Sequence, residues 1–100
     1  MAGFRDWQML RVLVQGQVQG VGFRSWARVL ALRLGLRGYI ENLRDGSVEI
    51  VAQGTKSGLD SLIETLKTAQ PPGSRISNYT ILTRYDLTGE DPLYSSFEIK

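Results

Sequence analysis

The chain contains no cysteine and no histidine among its 100 residues. The first absence excludes disulfides, thiolate nucleophiles and cysteine-ligated zinc or iron–sulfur centres. The second removes the commonest metal ligand and the commonest general base. A metal site would have to be built from carboxylates alone, and the Asp and Glu residues are scattered along the chain. Long apolar runs are missing too: none approaches the ~20 residues that a membrane helix requires. The start, Met1-Ala2-Gly3-Phe4-Arg5-Asp6, is not followed by the apolar stretch of a signal peptide. The expectation is a cytoplasmic protein with no membrane partner.

What is present fits one globular domain. Apolar residues make up 42% of the chain, the usual share for a soluble fold and far from the composition of a disordered one. A chain of this length can bury one core, and neither half could bury one alone. Residues 1–7 read as an extension and residues 8–100 as the domain. The net charge is only +2, yet residues 1–44 hold seven arginines against Asp6 and Glu41, a local net of +5. That asymmetry fits an anionic partner, either a small phosphate compound or a nucleic acid, and it equally fits a solvated basic face.

Five strands and two helices are expected. Leu10, Val12 and Val14 alternate along a first strand. A loop rich in Gly and Gln follows, from Gln15 to Gly22. Trp26, Val29, Leu30 and Leu34 then recur at helical spacing, and Gly35 is placed to cap that helix. Runs at 38–43 and 47–52 flank Arg44-Asp45-Gly46, a strong hairpin signal. Ser57 to Asp60 has the form of a capping box ahead of Leu59, Leu62, Ile63 and Leu66. Pro71-Pro72-Gly73 stops that second helix. Ile76 to Tyr85 reads as a long strand, and Tyr94 to Lys100 as a short one carrying Phe97 and Ile99 on one face. The order β-α-β-β-α-β with a closing strand predicts an α+β, ferredoxin-like sandwich. Its sheet is mostly antiparallel, with both helices on one face.

Gly16-Gln17-Val18-Gln19-Gly20-Val21-Gly22-Phe23-Arg24 joins the first strand to the first helix. Such a junction presents unpaired N–H groups at the positive end of a helix dipole, a ready anion site. Glycines at 16, 20 and 22 allow the backbone to turn its amides around a phosphate. Arg24 in the first turn opposes the dipole, at a cost of roughly 0.3–1 kcal/mol. It makes better sense with an anion between it and the amides, since a guanidinium pairs bidentately with phosphate. Gly-rich turns that bind nothing are also common. The segment lacks the Lys-Ser/Thr of a Walker loop and the spacing of a dinucleotide fingerprint. Asn42 is out of place in a strand, although its position beside Asp45-Gly46 is also ordinary turn chemistry.

At these residues the sequence resembles the acylphosphatase family. Gly16 to Arg24 matches the pattern Gly-x-Val-Gln-Gly-Val-x-Phe-Arg at every specified position. Gly38 to Glu49 resembles the family's second run, with Tyr39 in place of its tryptophan and Ile40 in place of a valine-like residue. The resemblance implies hydrolysis of an acyl phosphate to a carboxylate and inorganic phosphate, with no metal and no other cofactor. It carries the catalytic roles onto Arg24 and Asn42, and the phosphate-binding loop onto Gln17, Val18, Gln19, Gly20, Val21, Gly22 and Phe23. The implied partner is a small-molecule substrate, with inorganic phosphate as product and inhibitor, for an enzyme acting as a monomer. A non-enzymatic ferredoxin-like module binding an anion or RNA is the alternative. The first strand, however, lacks the stacking aromatics of an RNA-reading sheet. A further alternative is a stand-alone relative of the acylphosphatase-like domains of larger carbamoyl-phosphate-handling enzymes.

Overall fold

A computed structural model describes residues 6–69, 71 and 73–100. Its elements are β1 (Trp7–Gln17), α1 (Phe23–Arg33), β2 (Arg37–Asn42), β3 (Val48–Thr55), α2 (Lys56–Thr68), β4 (Arg75–Asp86) and β5 (Phe97–Ile99). The sheet order is β4-β1-β3-β2-β5. All neighbours are antiparallel except β2 and β5, which run parallel. This is the expected ferredoxin-like α+β sandwich. Residues 1–5 of the leading segment lie outside the described residues, and Trp7 already pairs with Thr55 in the sheet.

Strand alternation decides which face the helices cover. Leu10, Val12 and Val14 of β1 and Val48, Ile50 and Ala52 of β3 point to one side, with Ile40 and Phe97. They share one buried cluster with Phe23, Ala27 and Ala31 of α1 and with Leu59, Leu62, Ile63 and Leu66 of α2. Each large apolar side chain buried this way contributes roughly 1.5–3 kcal/mol, so this single layer dominates the stability.

Both helices depart locally from expectation. The innermost stripe of α1 is Phe23, Ala27 and Ala31. Trp26, Leu30 and Leu34 pack along its flank, and Val29 is 46% exposed. Small side chains at 27 and 31 let the helix lie close on the sheet, and a search for large apolar residues passes over them. The end of α1 is as expected: Gly35 N–H donates to Leu32 O and Leu36 N–H to Ala31 O, a Schellman motif. The capping box is not formed. β3 runs directly into α2, and the extended Thr55 caps it by accepting from Gly58 N–H at 3.1 Å. Asp60 instead receives Lys56 Nζ at 3.1 Å and Arg84 Nη2 at 2.8 Å.

The opposite sheet face is covered at one end by the chain between β4 and β5. Gln53 is fully buried there. Its Nε2 donates to Pro92 O and its Oε1 accepts from Tyr94 N–H, so a buried amide fastens the crossing. That crossing delivers β5 to the far edge beside β2.

β1 also runs further than expected, to Gln17, with a register shift between Gln15 and Gly16. Gly16 therefore lies in the strand and not in the loop. A Cβ there would stand 2.1 Å from Arg75 O and 2.7 Å from Ser77 N, at φ +131°. Its lack of a side chain admits β4 rather than a phosphate. Gly16→Ala is expected to destabilise the fold by about 2–4 kcal/mol, from positive-φ strain and a backbone clash. Chemical denaturation of the two proteins checks this; a loss below about 0.5 kcal/mol would contradict it.

Candidate active site

The loop from Val18 to Gly22 starts where β1 ends and stops where α1 begins. Two apolar anchors hold its ends, since Val18 and Phe23 are each 1% exposed. Between them Gly20 and Gly22 adopt φ of +73° and +81°, conformations that a side chain would oppose. Gly22 is the residue preceding α1, and no side chain caps the helix. Among the described residues, no backbone carbonyl accepts from the N–H groups of Gly20 to Arg24. Orphan donors at a helix N-terminus attract an anion.

Arg24 is the second residue of α1. With Val18, Gly20, Gly22, Phe23, Ser25 and Ile99 it lines an open cleft of about 100 Å³, room for a phosphate group. Its guanidinium does not hang free: Nη1 donates to the backbone oxygen of Lys100 at 2.9 Å. Arg28, one turn on, donates from Nε to Phe97 O at 2.8 Å. The two arginines grip β5 and the residue after it from the helix, while Lys100 N–H donates to Ile40 O on β2 at 2.9 Å. The opposition between Arg24 and the helix dipole is thereby offset by a backbone oxygen that the sequence could not disclose.

Asn42 ends β2 opposite Val48. Among the described residues its Oδ1 is the buried side-chain oxygen without a hydrogen-bond partner. Asn42 therefore does not act as a turn-forming acceptor. The turn is organised by Asp45, whose Oδ1 accepts from the hydroxyl and the N–H of Ser47. Those two bonds, the hydroxyl's first, hold the Asp45 carboxyl below the usual carboxylate range.

The anticipated loop residues do not all reach the cleft. Val18, Gly20, Gly22 and Phe23 line it with Arg24. Gln17 pairs with Arg75 at the end of β1 and borders a separate hollow with Gly73, Ser74 and Ile76. The Gln19 side chain turns to the β2–β3 turn, donating to Leu43 O at 2.8 Å and Ser47 O at 2.7 Å. Asn42 stands outside the residues lining the cleft, joined to them through that turn on one side and through β2, β5 and Lys100 on the other.

The family model for acylphosphatases matches residues 10–99. The chain belongs to the acylphosphatase family. It is 49% identical over 70 residues to the acylphosphatase of Mycolicibacterium smegmatis, covering 70% of this chain and 71% of that one. The crystal structure of the Bacillus subtilis acylphosphatase superposes with a TM-score of 0.82 at 32% identity, over 93% of this chain and 98% of the other. An acylphosphatase structure from Coxiella burnetii gives 0.81 at 35% identity over the whole of both chains. Family membership agrees with the reading of the two motifs at 16–24 and 38–49. Nothing local in the chain signals Ile99 in the cleft or the Lys100 backbone oxygen on Arg24, a contact between residues 76 apart.

Proposed function

We propose that this acylphosphatase holds the phosphoryl group of an acyl phosphate between the loop amides and Arg24, while Asn42 orients the attacking water. The observation that carries this reading is the buried, partnerless Oδ1 of Asn42. An acceptor left unmade costs about 1–3 kcal/mol, and a shift of the Asn42 side chain toward the cleft would satisfy it with a water. A water donating one proton to that oxygen keeps a lone pair for phosphorus. Its oxygen forms the new P–O bond as the bond to the acyl oxygen breaks. The carboxylate leaves with the electron pair, and the water's proton passes to a phosphate oxygen of the substrate. Arg24 and the loop N–H groups stabilise the charge on the equatorial oxygens throughout. The leaving group is good enough that no histidine is needed.

On this reading residues 8–100 form the catalytic unit, acting as a cytoplasmic monomer on a small molecule without a cofactor. The arginine-rich half gives little support to a nucleic-acid module. Arg11 pairs with Glu49 at 3.4 Å, Arg24 and Arg28 bind β5, and Arg37 lies over the Trp7 ring at 5.1 Å. The test is hydrolysis of benzoyl phosphate by the purified protein with and without a chelator. Turnover at equal rate in both is expected. Activity lost to the chelator and restored by magnesium or zinc would overturn the metal-free mechanism.

A further inference from the structure

We infer that Gln19 is a positioning residue, a clasp whose side-chain amide sets Asn42 relative to the phosphate loop and which does not itself bind phosphate. The inference rests on the catalytic reading of Asn42 given above.

The amide nitrogen of Gln19 has two protons, and both are committed. One goes to Leu43 O at 2.8 Å and the other to Ser47 O at 2.7 Å. What remains at the end of the side chain is a carbonyl oxygen, an acceptor that would repel a phosphate. Gln19 can therefore offer an anion nothing but its backbone N–H while the clasp is closed. The two carbonyls are not arbitrary. Leu43 directly follows Asn42, and Ser47 directly precedes Val48, the partner of Asn42 across the strands. The clasp thus takes hold of both arms of the hairpin, one residue beyond the Asn42–Val48 pair on the turn side. Its other end is fixed, because Gln19 sits between the buried Val18 and the left-handed Gly20. No other side-chain hydrogen bond among the described residues joins residues 18–22 to the hairpin end. Beyond the backbone pairing of the sheet, this one side chain ties the loop amides to the Asn42 end of the hairpin.

The hairpin does not need the clasp to form. Ser47 O also accepts from Leu43 N–H at 2.8 Å, and Leu43 O from Gly46 N–H at 3.2 Å. Removing the Gln19 amide leaves each carbonyl with a partner, so a variant at this position is expected to fold. Its defect should be geometric: the nest still binds phosphate, but the water that Asn42 holds is no longer in line.

Kinetics of four proteins test this: wild type, Gln19→Met, Asn42→Ala and the double variant. Methionine keeps the length and loses both donors. Gln19→Met should lower kcat roughly 10- to 100-fold through misplacement of the water. KM and inhibition by inorganic phosphate should stay within about twofold, since only one site is disturbed. In the Asn42→Ala background the same change should cost less than about twofold, because the group it positions is gone. An undiminished factor in that background would overturn the clasp, as would a loss of phosphate inhibition matching the loss of kcat. If Asn42→Ala itself leaves kcat unchanged, the catalytic reading fails; if only Gln19→Met does, the clasp alone fails. Gln19→Glu supplies an independent arm. Its carboxylate meets two carbonyl oxygens and is inactive, and protonation restores one donor. Its kcat relative to wild type should therefore rise as the pH falls below the carboxyl's pKa, and a flat ratio would count against the clasp.

Discussion

Arg24→Ala is expected to lower kcat/KM on acyl phosphates by on the order of 10²–10³-fold, the scale of losing a charge-stabilising donor. Inhibition by inorganic phosphate should weaken with it, because ligand and transition state share the guanidinium. One of the five N–H donors is engaged by Lys100 O, and the others are available to face the cleft. Arg24→Lys keeps the charge but cannot brace against Lys100 and pair bidentately at once, so its activity should fall between those of wild type and alanine. Steady-state rates with orthophosphate as competitor measure both effects. Unchanged phosphate inhibition in the alanine variant would remove Arg24 from the anion site. Stability follows a different sign from the one that the helix dipole alone suggests. The dipole favours removal of the cation by roughly 0.3–1 kcal/mol, but an exposed hydrogen bond from a charged donor is lost with it. The expected net result in anion-free buffer is a variant less stable by up to about 1 kcal/mol.

Asn42→Ala is expected to lower kcat by on the order of 10²-fold, as loss of a group that orients a reactant can, with phosphate inhibition nearly intact. The separation follows from placement. Asn42 does not line the cleft in which Arg24 and the loop sit, so phosphate can bind without it. Folding should not suffer either. The substitution deletes a buried oxygen that has no partner, so stability should be unchanged or slightly raised. Comparing turnover, phosphate inhibition and thermal unfolding in one variant gives three readouts. Loss of phosphate binding at unchanged turnover would defeat the water-orienting role.

Much of this architecture is legible in the chain because its determinants are local. The alternation of Leu10, Val12 and Val14, the Asp45-Gly46 turn and the Gly35 cap each lie within a few residues of what they specify. The junction at 16–24 is legible for the same reason, since a strand, a glycine-rich loop and a helix start follow one another directly. What stays hidden depends on long-range contact. Thr55 caps α2 only because β3 delivers it there extended, which favours it over Ser57. Gly16 reads as a loop residue until β4 is seen to pair closely beside it. Ala27 and Ala31 are core positions because the sheet is near, a fact that no side-chain size reveals. The partner of Arg24 arrives only after the chain has crossed the back of the sheet from Asp86 to Phe97.

That bracing of Arg24 by Lys100 has a thermodynamic consequence. A free arginine has about 2 kcal/mol of rotamer entropy to lose when it is immobilised on a ligand. Here the backbone oxygen of Lys100, just past β5, restricts the side chain before any ligand arrives, so part of that loss belongs to folding and not to binding. The site is preorganised. On the proposed role of Arg24, affinity for phosphate is then coupled to how firmly three residues of parallel strand stay on the edge of the sheet. Changes that loosen β5 are then expected to weaken binding without touching a single group proposed to meet the ligand.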